Sequence, residues 1–280
     1  MDPVLPGMRV GRARLAGSVL LLILLCACRT GRNYTGSGTP RYAGGSPAGT
    51  IAESSELDTL RVVSFNIEFS QQVDSAIAVL RREPRLREAD VLLLQEMTAP
   101  ATELVASALG LWYVYYPAIY HYRTRRDMGN AVLSRWPIIE DKKIVLPHRS
   151  RFVGTQRTAT GATLRVGNRL VRVYSTHLAT MGDVAPAARR EQLAAILADA
   201  ESYPHVIIGG DMNDAGVGQA VRARGYAWPT QRGPATASLG RLDHIFFKGF
   251  ATPDSSGTGT VENVSGASDH LPVWAVAILR

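Results

Sequence analysis

Two short runs limit what this chain can fold into more than any other feature. DVLLLQE (90–96) and HVIIGGD (205–211) are apolar at consecutive positions, too short for a core helix, and each ends on a carboxylate. A strand that is apolar without alternation has to be covered on both faces. Such a chain needs sheets lying between other layers. LRVVSFNIEF (60–69), YVYYPAI (113–119), NAVLSRWPI (130–138), LDHIFF (242–247) and PVWAVAIL (272–279) read as further strands. TLRVGNRLVRVYSTHL (163–178) carries two strand patterns around Gly167-Asn168, a hairpin signal. Between them, VDSAIAVLRR (73–82), ATELVASALG (101–110) and PAARREQLAAILADAE (186–201) have helical spacing. The last opens on Pro186 and keeps Leu193, Ile196 and Leu197 on one face. Strands and helices alternate, but the hairpin and the consecutive strands break a purely parallel order, so mixed sheets covered by helices are expected.

The region before residue 57 is of another kind. Arg9, Arg12 and Arg14 precede the apolar run LAGSVLLLILLCA (15–27), which suits a signal peptide and is short for a membrane span of about 20 residues. It ends Leu25-Cys26-Ala27-Cys28, which resembles the lipobox of bacterial lipoproteins, with cleavage before Cys28 and a lipid on its sulfur. Ordinary secretion with cleavage nearby is the alternative. Cys26 and Cys28 are the 2 cysteines of the chain, so the folded part has neither disulfide nor thiolate metal site. Residues 29–56 are rich in Gly, Ser and Thr without apolar periodicity and read as a flexible tether, whose root-mean-square reach is roughly 30 Å. The expected organisation is a signal peptide at 1–27, a lipid-anchored linker at 28–56 and one domain at 57–280. A composition with 46% hydrophobic and 20% charged residues rules out global disorder. The formal net charge of +7 is partly the leader's own and favours an anionic substrate or lipid. It is too dispersed for a nucleic-acid-binding arm.

Polar residues cluster at the ends of the strands. Asn66 lies within the first, Glu96 ends the second, His177 ends the hairpin, and Asp211 and Asn213 follow HVIIGG. In α/β folds such ends line a common crevice. Asp243, Asp269 and His270 lie at strand starts or in loops and would approach it from neighbouring strands. Taken singly, each has a plain reading: a helix cap for Glu96, an Asx turn for Asp211-Met212-Asn213, a structural histidine for His177. Asp214 reads as a turn or cap. Asn66 is the odd one, because a buried amide needs partners.

The joint pattern is more specific. NIEF, LLLQE, GNAVLSRWPI, STHL, GGDMND, RLDHIF and SDHLPV occur in that order from about residue 60 to 279. This resembles the endonuclease/exonuclease/phosphatase superfamily, which includes DNase I-like nucleases, abasic-site endonucleases, inositol polyphosphate 5-phosphatases and neutral sphingomyelinases. The resemblance implies a four-layer α/β sandwich, with two mixed β-sheets flanked by helices and the active site at one end. It implies Glu96 as the principal metal ligand, with Asn66 beside it and Asp269 near a metal or positioning His270. Asp211 would activate water, while Asn213, His177 and His270 would donate to phosphate oxygens and Asp243 would orient His270. Asn130 and Arg157 are further candidates for substrate contact. Arg123, Arg125 and Arg126 form a loop cluster that binds a second anionic group or is merely solvated.

Phosphate-ester hydrolysis needs the phosphate neutralised, water activated and the leaving oxygen stabilised. A hard cation with oxygen ligands serves the first and last. Oxygen donors without a cysteine cluster favour Mg²⁺ or Mn²⁺ over structural zinc. The expectation is a monomeric phosphodiesterase or phosphomonoesterase, exported and lipid-anchored on the bacterial cell envelope, near a membrane surface. An extracellular or envelope nuclease is the alternative. In LWYVYYPAIYHYRTRR (111–126) the aromatic and basic residues would suit a nucleic acid strand or simply form a strand of the sheet. A non-catalytic envelope lipoprotein would leave the full set of polar residues unexplained.

Overall fold

The computed structural model describes residues 31–45 and 59–279. Its strands in chain order are β1 (Gly31–Asn33), β2 (Tyr42–Gly44), β3 (Thr59–Asn66), β4 (Val91–Met97), β5 (Trp112–His121), β6 (Arg126–Ser134) and β7 (Ile138–Arg149), then β8 (Gln156–Val166), β9 (Arg169–His177), β10 (Val206–Asp211), β11 (Asp243–Lys248), β12 (Phe250–Ala251), β13 (Thr258–Thr260) and β14 (Val273–Leu279). One sheet runs β1-β5-β6-β4-β3-β14-β12, with β2 also on β5 and β13 on β14; the other runs β11-β10-β9-β8-β7. Both are mixed: β3 and β4 are parallel, as are β9 and β10, while most other pairs are antiparallel.

Three apolar clusters define four layers. Between the sheets, Leu60, Val62, Val91 and Leu93 meet Val171, Val173, Ile207 and Ile245. The alternate residues of the same strands, Val63, Phe65, Leu92 and Leu94, pack outward on the helices Val73–Arg82 and Ala99–Leu109. On the far side Val206 and Ile208 pack on Leu193, Ile196 and Leu197 of the helix Pro186–Asp199. The period-two alternation of a strand thus serves two cores, which is why these runs are apolar throughout. The four-layer sandwich is the one expected. Gly110 ends its helix at φ 65°, and Gly167 turns the β8–β9 hairpin at φ 58°, where a residue without Cβ is favoured.

Two regions depart from the sequence reading. Strand β7 is not among the strands read from sequence, because Glu140, Asp141, Lys142 and Lys143 break any apolar alternation; as an edge strand it has β8 on one side only. More consequential is the supposed tether. Residues 31–33 and 42–44 are strands on the edge of the first sheet, paired with β5. The segment between them is held by the second sheet. Buried Lys143 donates to the carbonyls of Tyr34 (3.2 Å) and Thr39 (2.8 Å), and Arg41 forms an ion pair with Asp141 (2.5 Å). Asn33 takes the amide of Gln156 (2.9 Å) and gives its own to Gly154 O (2.8 Å). Residues 31–45 are therefore a strap closing one side of the sandwich, not a free linker. Glycine-rich edge pairing has no apolar period, so composition alone reads it as loop. The expected signal peptide and Cys28 lie outside the described residues. No helix among the described residues is long and apolar enough to cross a membrane.

Candidate active site

The site forms where the two sheets meet at one end. In the second sheet, Asp211 is in register with His177 on one side and Asp243 on the other, so three adjacent strands set these residues in one row. Gly209 and Gly210 make this close approach feasible. A Cβ at Gly209 would lie 2.6 Å from Leu93 across the core, and one at Gly210 would lie 1.8 Å from the carbonyl oxygen of Thr176.

In the first sheet Asn66 is in register with Gln95, and β4 then bulges: three steps from Leu94 to Met97 face two on β6. Glu96 occupies the bulge at φ 56°, in the left-handed region that L-residues avoid. This turns its carboxylate toward the opposite sheet. The neighbouring turn is strained as well, with Glu68, Phe69 and Ser70 all at positive φ. It is held by the Phe69 amide donating to Glu96 Oε2 (3.0 Å), the Glu68 amide donating to Asn66 Oδ1 (3.1 Å), and Ser70 donating to Glu96 O (3.3 Å).

Asn66 joins the halves. Its Nδ2 donates to Asp211 Oδ2 (3.2 Å), with a longer contact to Glu96 Oε1 (3.4 Å). Asp211 Oδ1 accepts from the Asn213 amide (2.9 Å), and Asn213 Nδ2 donates to Leu178 O (3.1 Å), leaving one amide hydrogen to the cleft. Asn213 is also left-handed, at φ 49°. His177 Nε2 lies 3.2 Å from Asp211 Oδ2, and its Nδ1 lies 3.7 Å from Glu96 Oε1. His270 Nδ1 is 2.8 Å from Asp243 Oδ2, and its Nε2 points at Asp211 Oδ2, 3.7 Å away.

The electrostatics separate these groups. Burial pushes the Asp211 carboxyl up to about 7, with the Asp243 charge adding to it. Burial likewise raises Glu96, against the attraction of Arg157. Burial pushes His177 well below its usual range, reinforced by Arg157 and His270, so it is a neutral imidazole. His270 goes the other way. Burial opposes its charge, but the hydrogen bond and charge of Asp243, with Asp211 and Asp269, push it up to about 9. Near neutral pH the site thus pairs a carboxylate poised to take a proton with an imidazolium poised to donate.

A cleft of about 370 Å³ opens above these residues, lined by Glu96, Arg157, His177, Asp211, Asn213, Asp269 and His270. Asp243 lies beneath, fully buried, with its amide held by Thr236 Oγ1 (3.2 Å). Arg157 stands within β8, donating to Thr180 Oγ1 (3.0 Å). Asn130 does not face the open cleft. It borders a small recess behind Glu96 and donates to Thr158 O (2.7 Å), tying β6 to β8, with its buried Oδ1 unpartnered. Asp214 is a turn residue, accepting the Gly216 amide (2.8 Å). Arg123, Arg125 and Arg126 are exposed around the β5–β6 turn. Sequence reasoning missed Phe69, His121, Thr180 and Asp183 on the cleft wall. They lie on or beside turns, where no periodicity marks a residue. It also missed Ser268, whose hydroxyl donates to Asn66 O (2.7 Å) and accepts the His270 amide (3.1 Å).

The donor set suits a hard cation. Glu96 is a desolvated carboxylate whose Oε1 has only contacts of 3.4 and 3.7 Å. Among the described residues no group of three His, Cys, Asp or Glu closes a full shell.

Comparison with known proteins agrees with this fold. The family described as "Endonuclease/Exonuclease/phosphatase family" matches residues 63–270. A functionally unknown conserved protein from Enterococcus faecalis V583 superposes with a TM-score of 0.63 at 18% identity, over 78% of this chain and 100% of its own. D. rerio TDP2, solved with a single-strand DNA product, gives 0.62 at 16% identity over 78% and 98%. Sphingomyelinase C from Streptomyces griseocarneus gives 0.57 at 19% over 79% and 99%. No curated protein matches the sequence.

Proposed function

Because the chain belongs to the endonuclease/exonuclease/phosphatase family, we propose that it is a hydrolase of phosphate esters, dependent on Mg²⁺ or Mn²⁺ and working from the cell envelope. The observation that carries this reading is the opposed pair at the cleft floor: Asp211 set in register between His177 and Asp243, and His270 held through Nδ1 by Asp243 with its Nε2 aimed at Asp211. Asp211, which lines the cleft, takes a proton from the attacking water, while His177 and Asn66 hold its Oδ2 from either side. This assigns His177 to positioning Asp211 through a neutral ring instead of contacting phosphate. The imidazolium of His270 donates from Nε2 to a phosphate oxygen, where negative charge builds in the transition state. Asn213 donates its remaining amide hydrogen to the same group, and Arg157 offsets its charge from the cleft wall. A divalent cation would be held by Glu96, with Asn66 and Asp269 near it, and supplies neutralisation of the phosphate and of the leaving oxygen.

Of the aromatic segment before the β5–β6 turn, Tyr115 and Tyr116 are buried in the sheet and cannot stack on bases, whereas Tyr122 is exposed. The test is hydrolysis by the full chain of bis-p-nitrophenyl phosphate, sphingomyelin, inositol phosphates and plasmid DNA, with Mg²⁺ or Mn²⁺. Turnover that EDTA abolishes is expected on at least one ester. Inertness toward all four would remove the enzymatic reading, and turnover of DNA alone would narrow it to a nuclease.

A further inference from the structure

The strap determines where anything joined to it upstream must leave the domain. Gly31 pairs with His121 at the end of β5, and His121 lines the cleft. Tyr34 continues this pairing through its amide to Ala118 O (2.8 Å), and its hydroxyl donates to Asp127 (2.7 Å). Cys28 is three residues before Gly31, and three residues span at most about 11 Å even when fully extended. A lipid on Cys28 therefore enters a bilayer beside the cleft mouth, not at the end of a long tether.

The mouth itself has the composition of an interfacial surface. Phe152 is 71% exposed at the tip of the β7–β8 turn, next to the cleft-lining Val153. Leu239, on the cleft wall, is 66% exposed. Exposed Tyr122 and Met181 follow the lining residues His121 and Thr180. Arg32, Arg123, Arg125 and Arg151 are exposed on the same turns and on the strap. The strap is tied to the β7–β8 turn through the Asn33 contacts to Gly154 and Gln156. Large apolar tips interleaved with arginines suit the headgroup layer of an anionic membrane, where the tips reach acyl chains and the guanidinium groups meet phosphates.

We propose that the cleft mouth is a docking face for an anionic lipid bilayer, with Phe152, Tyr122, Met181 and Leu239 at the interface and the strap orienting the domain through Cys28. The active site then opens onto the membrane, and phosphate esters carried at that surface reach it ahead of soluble ones. This rests on reading the cleft as a phosphoesterase site.

The test places a fluorophore through Phe152→Cys or, at the opposite end of the sandwich, Leu170→Cys, with the parent chain labelled in parallel to register any native thiol. The full chain is reconstituted in vesicles of equal parts phosphatidylcholine and phosphatidylglycerol carrying nitroxide lipids. Severalfold stronger quenching at 152 than at 170 is expected; equal quenching, or stronger quenching at 170, would overturn the docking face. A label at 152 that responds to single-stranded DNA and not to vesicles would overturn it too. Hydrolysis of soluble bis-p-nitrophenyl phosphate by the same samples confirms folding and separates the two readings. Hydrolysis without selective quenching removes the docking face alone, and selective quenching by samples inert toward all four esters removes the proposed chemistry alone.

Discussion

The two ends of β10 obey opposite physical rules. At its start, Val206, Ile207 and Ile208 are fully buried between two apolar clusters, with a regular register to both neighbours. Each such side chain contributes about 1.5–3 kcal/mol through burial. At its end, Asp211 is just as buried but carries a charge that burial disfavours. Beside it stand two residues in left-handed conformation, Glu96 and Asn213, and a buried Asp243 Oδ1 without a partner. Such features cost stability and persist only where the surrounding structure over-determines them. One six-residue strand thus holds the molecule together at one end and spends part of that stability at the other.

The sharpest break of this comparison is Asp211→Asn. Loss of the base should lower turnover by about 10²–10⁴-fold. The folded carboxyl, raised from 3.8 to about 7, favours the native state fully below pH 3.8 and loses that contribution as pH rises through 7. A neutral amide escapes the penalty. At pH 8 the variant should therefore melt no lower than the wild-type chain; a clear drop in Tm would mean that the ionised carboxylate is a net stabiliser. His270→Ala comes next, with a loss of about 10²–10³-fold for a donor to the developing charge. An unchanged kcat/KM would remove His270 from the site's chemistry.

The apolar end gives the mirror result. Ile208→Ala should cost about 2–5 kcal/mol in denaturant titrations, because it leaves a cavity against the helix Pro186–Asp199. Turnover per folded molecule should stay as it was. If activity fell with stability held, the division between the two ends of β10 would fail.

The same division explains what could be read from sequence. The apolar runs were legible because burial on both faces leaves an unbroken hydrophobic string, which calls for covered mixed sheets; the four-layer arrangement itself came from the resemblance to the family. The polar row was legible because strand ends in such folds converge, and Glu96, His177, Asp211 and His270 do meet around one cleft. The strap was not legible. Its strands are three residues each, Gly31 and Gly44 lie within them, and it is held by Lys143, Asp141 and Gln156, more than 90 residues away in the chain. Nor was the bulge at Glu96, since φ 56° follows from register against β6 and not from the residue itself. Asn130, singled out for the substrate, faces Thr158 because β6 and β8 cross there.

The smallest expected effect probes how the polar end is wired. Asp243→Asn keeps an acceptor for His270 Nδ1 and removes the charge that opposes burial. In the wild-type chain the folded His270 titrates near 9, above its ordinary 6.5. Its interaction with Asp243 therefore stabilises the fold fully below pH 6.5 and is lost as pH rises through 9. The Tm difference between wild type and Asp243→Asn should be largest below pH 6.5 and shrink across that window. In kcat/KM the alkaline limb, which reports loss of the imidazolium, should move from near 9 toward 6.5. At pH 6 turnover should change less than at pH 8, because His270 keeps more of its charge there. If the limb stayed in place while Tm fell, Asp243 would be a structural acid only, and the charge on His270 would have another source at the cleft.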